Sequence, residues 1–394
     1  MTLSTCIVTG QYPPQVGGVG QSAHRVVRLL AAAGLTVEVA VMTKHPVPLP
    51  LDESITTGEE EGVRVHRVRV HFPPPAAATS EAESLTRYNR EMFQALEHLT
   101  QRHRYQALHG FFLYPSGFIA TAVARLHDLP SIVSIRGNDV GKYAFDPLRR
   151  PFVRAALEQA DQVTSVATSL TCFADRMLAP IAHKSRTILN SVEIDPDLPR
   201  DRPEVATQGL VIGSAGLFRY KKGLIYLLKA LADLDGAIPH TLLLAGDYFR
   251  AEDREPHERA IAELGLAART RVTGLIAPER MAGYLQLFDI MVFPSLFSEG
   301  CPRVMLEAMA LGKAVIGTRS GAIPEILRDR ENGLLVEPGS SGALKSAIAE
   351  LAADPALRAR VGEGARRTAR TLTLAREREE WAAVYRALPG RCTR

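Results

Sequence analysis

The sequence predicts an α/β protein built from two doubly wound parallel sheets. Short apolar runs of strand character alternate with segments whose apolar residues recur at helical spacing. The alternation breaks across residues 193–204 (EIDPDLPRDRPE), polar and rich in proline, and then restarts. The 394 residues also exceed what one core commonly fills, at ~150 residues per domain. The expected domains are therefore 1–195 and 205–372, with a C-terminal helix in 373–394.

Residues 3–9 (LSTCIVT) read as a buried strand, 10–20 as a glycine- and proline-rich loop, and 21–33 as a helix ended by Gly34. A second strand follows at 36–42, which completes a β-loop-α-β unit. Residues 44–62, proline-rich and then acidic, read as a surface loop. The strict alternation VRVHRVRV at 63–70 predicts a half-exposed strand, and 83–102 a helix. Further strands are expected at 107–112, 131–135 and 162–166, then at 210–215, 240–245, 270–273, 290–293, 314–317 and 334–336. Residues 374–388 form an amphipathic segment around the single tryptophan, Trp381. It is expected either to pack back on the first domain or to lie on the surface. Ligands of such sheets bind beyond the carboxyl ends of the strands.

With 46% apolar and 23% charged residues, disorder, collagen and coiled coil are excluded. The net charge of +4 is spread evenly over the two halves, unlike the one-sided basic surface of a nucleic-acid binder. Cys6, Cys172, Cys301 and Cys392 are far apart in sequence, which argues against a zinc or disulfide framework. No apolar run reaches the ~18–20 residues of a spanning helix, and residues 1–10 lack the basic flank of a signal peptide. A cytoplasmic protein is expected.

Three segments carry candidate chemistry. In 298–311 (SEGCPRVMLEAMAL), Pro302 suits the first turn of a helix, so Ser298 to Cys301 form the turn entering it. Free amides and the helix dipole there favour an anion. Glu299 precedes the helix, and Glu307 lies within it on an apolar stretch, where a carboxylate needs a partner; an i,i+4 pair with Arg303 is one answer. In 213–223 (GSAGLFRYKKG), Arg219, Lys221 and Lys222 cluster at the mouth of a strand, where cations could neutralise a diphosphate or form a solvated turn. In Gly17-Gly18-Val19-Gly20 the glycines let backbone approach a ligand. This is not the dinucleotide fingerprint, because residues 11–16 separate the glycines from the strand.

Taken in order, Gly17-Gly18, Lys221–Gly223, Ala245–Asp247, the Glu299/Glu307 pair, SGAIPE (320–325) and NGLLV (332–336) resemble the signature of family 4 glycosyltransferases. The resemblance spans nearly the whole chain and is most specific over 208–340. It implies the GT-B fold, two Rossmann-like domains facing across a cleft. It also implies transfer of a sugar from a nucleoside-diphosphate-sugar, with retention at the anomeric carbon and no metal cofactor. By this resemblance Glu307 holds the nucleotide ribose, and Glu299 a hydroxyl of the donor sugar beside the backbone of Gly300 and Cys301. Lys222 and a nearby arginine bind the diphosphate, and Gly17 and Gly18 cap it.

Two departures bear on the catalytic set, which comprises Glu299, Lys222, Arg219, Arg136 and Asp139. Leu217 follows Gly216 where relatives carry arginine, so Arg219 is the substitute. The family H-G-x-D element reads Arg136-Gly137-Asn138-Asp139. Arginine is no base at pH 7, though it can contact a phosphate or an anionic acceptor; Asp139 keeps the acidic place or caps a turn. The acceptor is expected on the first domain, with His109 as a candidate contact and His66, Arg67, Arg69, His71 and 72–75 bordering the site. Arg149, Arg150 and Arg154, beside Leu148, Phe152 and Val153, could touch anionic lipid or form a solvated helix face. The D-x-D triplets at 195–197 and 233–235 fit turns and caps. Competing readings are a sugar-nucleotide epimerase or hydrolase of the same architecture, a nicotinamide-dependent oxidoreductase and a non-catalytic sugar-binding protein.

Overall fold

The computed structural model describes residues 3–15, 17–73, 80–192, 202–234, 236–297 and 299–390. The chain forms two units, Met1–Leu189 with Ala375–Arg394, and Asn190–Leu374. Ser298, most of the proline-rich segment at 193–204 including the first D-x-D triplet, Asp235, Pro74, Pro75 and Cys392 lie outside the described residues.

Unit 1 holds β1 (Ser4–Thr9), β2 (Thr36–His45), β3 (Ile55–Glu60), β4 (Val63–His71), β5 (Ala107–Phe111), β6 (Ser131–Ile135), β7 (Gln162–Ser165) and β8 (Ser185–Thr187). They are ordered β3-β4-β2-β1-β5-β6-β7-β8, with β3 antiparallel to β4 and the other pairings parallel. Strands covered on both faces read as continuous apolar runs. In β1, Cys6 and Val8 enter one cluster with Met92, Leu96 and Ile119. Ile7 enters the other with Val26, Val27 and Trp381.

Unit 2 holds β9 (Leu210–Phe218), β10 (His240–Tyr248), β11 (Thr270–Val272), β12 (Ile290–Phe293), β13 (Ala314–Thr318) and β14 (Leu334–Val336). Their order is β11-β10-β9-β12-β13-β14, with every pairing parallel. In each sheet the strand order reverses once, between β1 and β5 and between β9 and β12. Crevices of doubly wound sheets lie at these reversals, beyond the carboxyl ends of the strands.

Several boundaries differ from the sequence reading. The segment at 44–62 is not a loop throughout. Lys44 and His45 end β2, Leu51–Ser54 is a helical turn, and Ile55–Glu60 is an edge strand on β4. Acidic residues on an exposed edge conceal a strand from a hydrophobicity reading. The first helix is Gly18–Ala32, so Gly18 and Gly20 belong to its first turn. Ser80 caps the helix Glu81–His103, its side chain accepting from the Glu83 amide.

The C-terminal helix Leu374–Arg386 joins the unit 1 core through Trp381, which is fully buried. Arg25 Nη1 donates to Glu377 Oε2 at 2.7 Å, both side chains nearly inaccessible to solvent. The Trp381 indole donates to the other Glu377 oxygen at 3.3 Å. His109 is part of the same core, which corrects its assignment to the acceptor. Its Nδ1 lies 2.9 Å from the Tyr385 hydroxyl and its Nε2 2.7 Å from Ser134 Oγ. It is fully buried, so no acceptor reaches it. Burial, reinforced by the Arg136 charge, pushes its pKa down to about 3.

The arginines at 149–154 have partners within unit 1. Arg149 bridges Asp146 and Glu81, Arg150 donates to the Met177 carbonyl and Arg154 pairs with Glu158. Val153 is buried, and Phe152 stacks on Tyr114 and Phe118. Among the described residues no helix is long and apolar enough to cross a membrane.

Two stability measurements follow, read by urea unfolding with Trp381 fluorescence. Glu377→Ala removes the carboxylate paired with a buried guanidinium and is expected to cost ~3–5 kcal/mol; a loss below ~1 kcal/mol would contradict the role of the pair. Unfolded His109 takes a proton below its ordinary pKa of 6.5, whereas the folded, buried ring does not. Stability is therefore lost as pH falls, and the His109 contribution between pH 7 and pH 5 is about 2 kcal/mol. His109→Gln is expected to remove that part of the pH dependence, and an unchanged slope would refute it.

Candidate functional site

In unit 2 the predicted residues gather at the reversal between β9 and β12. β9 runs to Phe218 because Gly216 and Gly246 face each other across β9 and β10. A Cβ on Gly246 would stand 1.9 Å from the Gly216 carbonyl oxygen, so this pairing needs glycine. Arg219 then opens a 3₁₀ turn, Tyr220–Lys222, closed by Gly223 at φ 65°. Gly223 lies against the segment after β12, and a Cβ there would stand 2.0 Å from the Pro294 carbonyl oxygen. The Leu296 amide donates to the Lys221 carbonyl at 2.8 Å.

This backbone contact carries Lys222 to Glu299. Lys222 Nζ donates to Glu299 Oε1 at 2.7 Å, and Ser295 Oγ donates to Glu299 Oε2 at 3.3 Å. The Glu299 side chain is 8% exposed and that of Lys222 25%, so the lysine is the member open to a ligand. Burial opposes ionisation of Glu299, but the charges of Lys222 and Lys221 and the Lys222 and Ser295 hydrogen bonds outweigh it. The carboxyl is held below its usual range. The Glu299 carbonyl is fixed too, accepting from the Ala322 amide at 3.3 Å. Gly321, at φ 57°, passes so close that a Cβ would stand 1.6 Å from the same oxygen. The SGAIPE segment thus shapes the backbone on which Glu299 is presented.

Pro302 is the residue before the helix rather than its first, and the helix is Arg303–Ala310. The Asn190 side-chain amide donates to the Cys301 carbonyl at 2.7 Å, holding the turn that includes Gly300. Glu307 projects from this helix with 19% of its side chain exposed, and Arg303 Nη2 lies 3.8 Å away. That is an ion pair beyond hydrogen-bond length. Arg219 rests its guanidinium 4.8 Å from the centre of the Phe249 ring, a cation–π seat beside β10. Its Nε is buried without a hydrogen-bond partner in the structure. Sequence reasoning missed Ser295, Asn190 and Phe249. Their roles rest on contacts across 4 to 111 residues, and local pattern carries no signal for the longer ones.

In unit 1, Gly17 precedes the first helix, and a Cβ there would stand 2.6 Å from Gln11 Oε1. Gly18 faces open space. The Arg136 guanidinium donates to Ser22 on that helix and lies 4.7 Å from the centre of the Phe111 ring. Asp139 is not placed for catalysis. It is fully buried and accepts from the backbone amides of Leu113, Arg136, Gly137 and Val140 at 3.0–3.3 Å. Burial raises its pKa against those bonds. Asp139 therefore ties the loop after β5 to the loop after β6 and serves as a positioning group.

Residues 198–368 match the family described as glycosyl transferases group 1, and residues 17–182 match the glycosyl transferase 4-like domain. The chain is 25% identical over 363 residues to N-acetyl-alpha-D-glucosaminyl L-malate synthase of Bacillus anthracis, covering 90% of this chain and 89% of that protein. It is also 25% identical over 379 residues to a GDP-mannose-dependent phosphatidylinositol monomannoside mannosyltransferase of Mycolicibacterium smegmatis, covering 91% and 92%. In fold it resembles sucrose-phosphate synthase from Thermosynechococcus elongatus, with a TM-score of 0.77, 23% identity and 98% of each chain covered. It likewise resembles Anabaena HepE in complex with UDP, with a TM-score of 0.74, 17% identity, and 98% of this chain and 100% of that one covered. With matched segments in both units, two Rossmann-like sheets and relatives aligned over nine-tenths of its length, the chain belongs to the family 4 glycosyltransferases of GT-B fold.

Proposed function

We propose that the protein moves a sugar from a nucleoside-diphosphate-sugar to an acceptor, with retention at the anomeric carbon and without a metal. The observation that carries this reading is the Lys222–Glu299 pair at the reversal of the unit 2 sheet. As the glycosidic bond breaks, charge builds on the leaving diphosphate. A fixed cation there stabilises that charge without reorganisation. Lys222 is a partly exposed cation at that place, and Arg219, seated on Phe249, is a second. Glu299, kept ionised, accepts from a hydroxyl of the donor sugar. Glu307, whose side chain is 19% exposed beside Arg303, takes the ribose hydroxyls. Gly17 and Gly18 offer backbone to a phosphate, and Arg136 a positive charge. Of the candidate carboxylates, Glu299 is held by Lys222 and Asp139 is enclosed by backbone amides, which speaks against either as a nucleophile. Same-face attack, with the leaving phosphate taking the acceptor proton, fits that arrangement. The two relatives named above that align over nine-tenths of the chain are named for an L-malate and a phosphatidylinositol monomannoside, both of which carry negative charge. An anionic acceptor is therefore the first class to screen here.

The reaction is tested with UDP-, GDP- and ADP-sugars, following donor consumption and the anomeric configuration of the product by NMR. Retention with full activity in EDTA supports the reading. An inverted product, or activity abolished by EDTA and restored by a divalent cation, contradicts it. Release of free or epimerised sugar with every acceptor favours the hydrolase or epimerase alternative.

Lys222→Ala is expected to lower turnover at least ~100-fold, the scale of losing a key charge-stabilising donor. Glu307→Ala is expected to raise the donor KM about tenfold or more, since two ribose hydrogen bonds to a charged group are lost, with a smaller effect on kcat. Near-normal kinetics in both variants would refute the site.

A further inference from the structure

A second cluster of chemical groups lies in unit 1, at the amino-terminal ends of the strands, the end that loops carrying the sugar-nucleotide chemistry do not occupy. Its hub is Glu38 on β2. Glu38 Oε2 stands 3.0 Å from His66 Nε2 on β4, 3.3 Å from His103 Nδ1 at the end of the helix Glu81–His103, and 2.8 Å from the Tyr105 hydroxyl. The Tyr105 hydroxyl is also 3.3 Å from His66 Nε2. One ligand atom each from Glu38, His66 and His103 falls within 4.8 Å of the others. A tetrahedral cation bound to nitrogen and oxygen at ~2.0–2.1 Å spaces its ligand atoms about 3.3 Å apart. The two Glu38–histidine spacings are already near that value, and the two histidine nitrogens lie within 4.8 Å of each other. His66 was expected to border the acceptor; it is instead fully buried here.

We propose that Glu38, His66 and His103 form a structural zinc site. Two imidazoles and one carboxylate make a donor set suited to Zn²⁺. The surrounding groups also fit. Arg64 Nη1 donates to Glu38 Oε1 at 2.7 Å, so the ion would take Oε2 in place of the His66 N–H, with the Tyr105 hydroxyl remaining a donor to the same oxygen. Thr57 Oγ1 lies 2.8 Å from His66 Nδ1. On binding, the His66 proton leaves Nε2 and resides on Nδ1, donated to the Thr57 hydroxyl, so the neutral ring keeps its proton count. The same Arg64 Nη1 lies 3.3 Å from His103 Nδ1, so the guanidinium must turn until another of its nitrogens holds Glu38 Oε1. The Arg64 side chain is 52% exposed, so the move buries no charge. His103, 15% exposed, gives the ion a way in. The site ties β2, β4 and the helix end together, and through Thr57 it reaches the edge strand β3. It supplies stability and takes no part in sugar transfer, so it stands or falls independently of the function proposed above.

The test uses the full-length protein stripped with chelator and then titrated with Zn²⁺, and separately with Co²⁺ as a spectroscopic probe. The expected result is one zinc retained per chain after desalting, the visible absorption of four-coordinate cobalt, and a Tm raised by several degrees. His103→Asn, at the edge of the cluster, should fold, bind zinc at least ~100-fold more weakly and lose the Tm response. Glu38→Gln, which keeps the shape and one acceptor, should do the same, with circular dichroism confirming that both variants fold. A folded wild-type chain with no retained zinc and no Tm response overturns the proposal. So does zinc binding that is unchanged in His103→Asn, which would place the ion on other histidines and leave this cluster a hydrogen-bonded one.

Discussion

The close backbone contact between the turn after β9 and the segment after β12 is the constraint on which the unit 2 site depends. β9 and β12 pair over only two residues, Ile212 with Ile290 and Gly213 with Met291, and the chains diverge beyond them. Gly223, with no Cβ and a left-handed φ, brings the turn back against Pro294. The Leu296 amide locks it to Lys221. Only then does Lys222 meet Glu299. The same economy recurs at Gly321 against the Glu299 carbonyl. Glycines thus set the site by allowing backbone contact, while the charged groups between them supply its chemistry.

Electrostatics makes the pair useful. A buried carboxylate alone would be driven toward its neutral form. With Lys222 and Ser295 in contact it stays ionised and oriented. In the proposed function a diphosphate shares Lys222 with Glu299. Breaking a buried pair outright is costly, whereas adding a second anion beside a partly exposed lysine is not. In unit 1 the corresponding reversal is organised differently. Asp139 collects backbone amides from two loops, and Arg136 reaches the first helix at Ser22. The acidic residue of that element thus holds the shape of the two loops.

Much of this was legible in the sequence because parallel strands buried on both faces write themselves as apolar runs. Those at 131–135, 290–293 and 334–336 match β6, β12 and β14 residue for residue. The order of motifs pointed to Lys222 and Glu299, 77 residues apart, as members of one site, and they are in contact. What was not legible depended on partners remote in sequence. His109 follows the pattern of a residue near a strand end, yet Tyr385 and Ser134 enclose it. Asp139 reads like a catalytic acid until its four backbone donors are seen. The edge strand β3 carries Thr57, Glu59 and Glu60 in place of an apolar repeat, because one side of it faces solvent. The Glu38 cluster had no motif at all, since its members come from three separate elements.

The central claim is that unit 2 binds a nucleoside diphosphate through Lys222 and Glu307. The most direct measurement is a thermal-shift panel of UDP, GDP, ADP, CMP and NAD on the wild-type chain and on Glu307→Ala. A ligand at ~100 times its Kd adds about 2.7 kcal/mol to stability, a readily measured shift. The account predicts a shift with one nucleoside diphosphate that is lost in the variant. A shift with NAD alone, or a nucleotide shift that Glu307→Ala leaves intact, would contradict it.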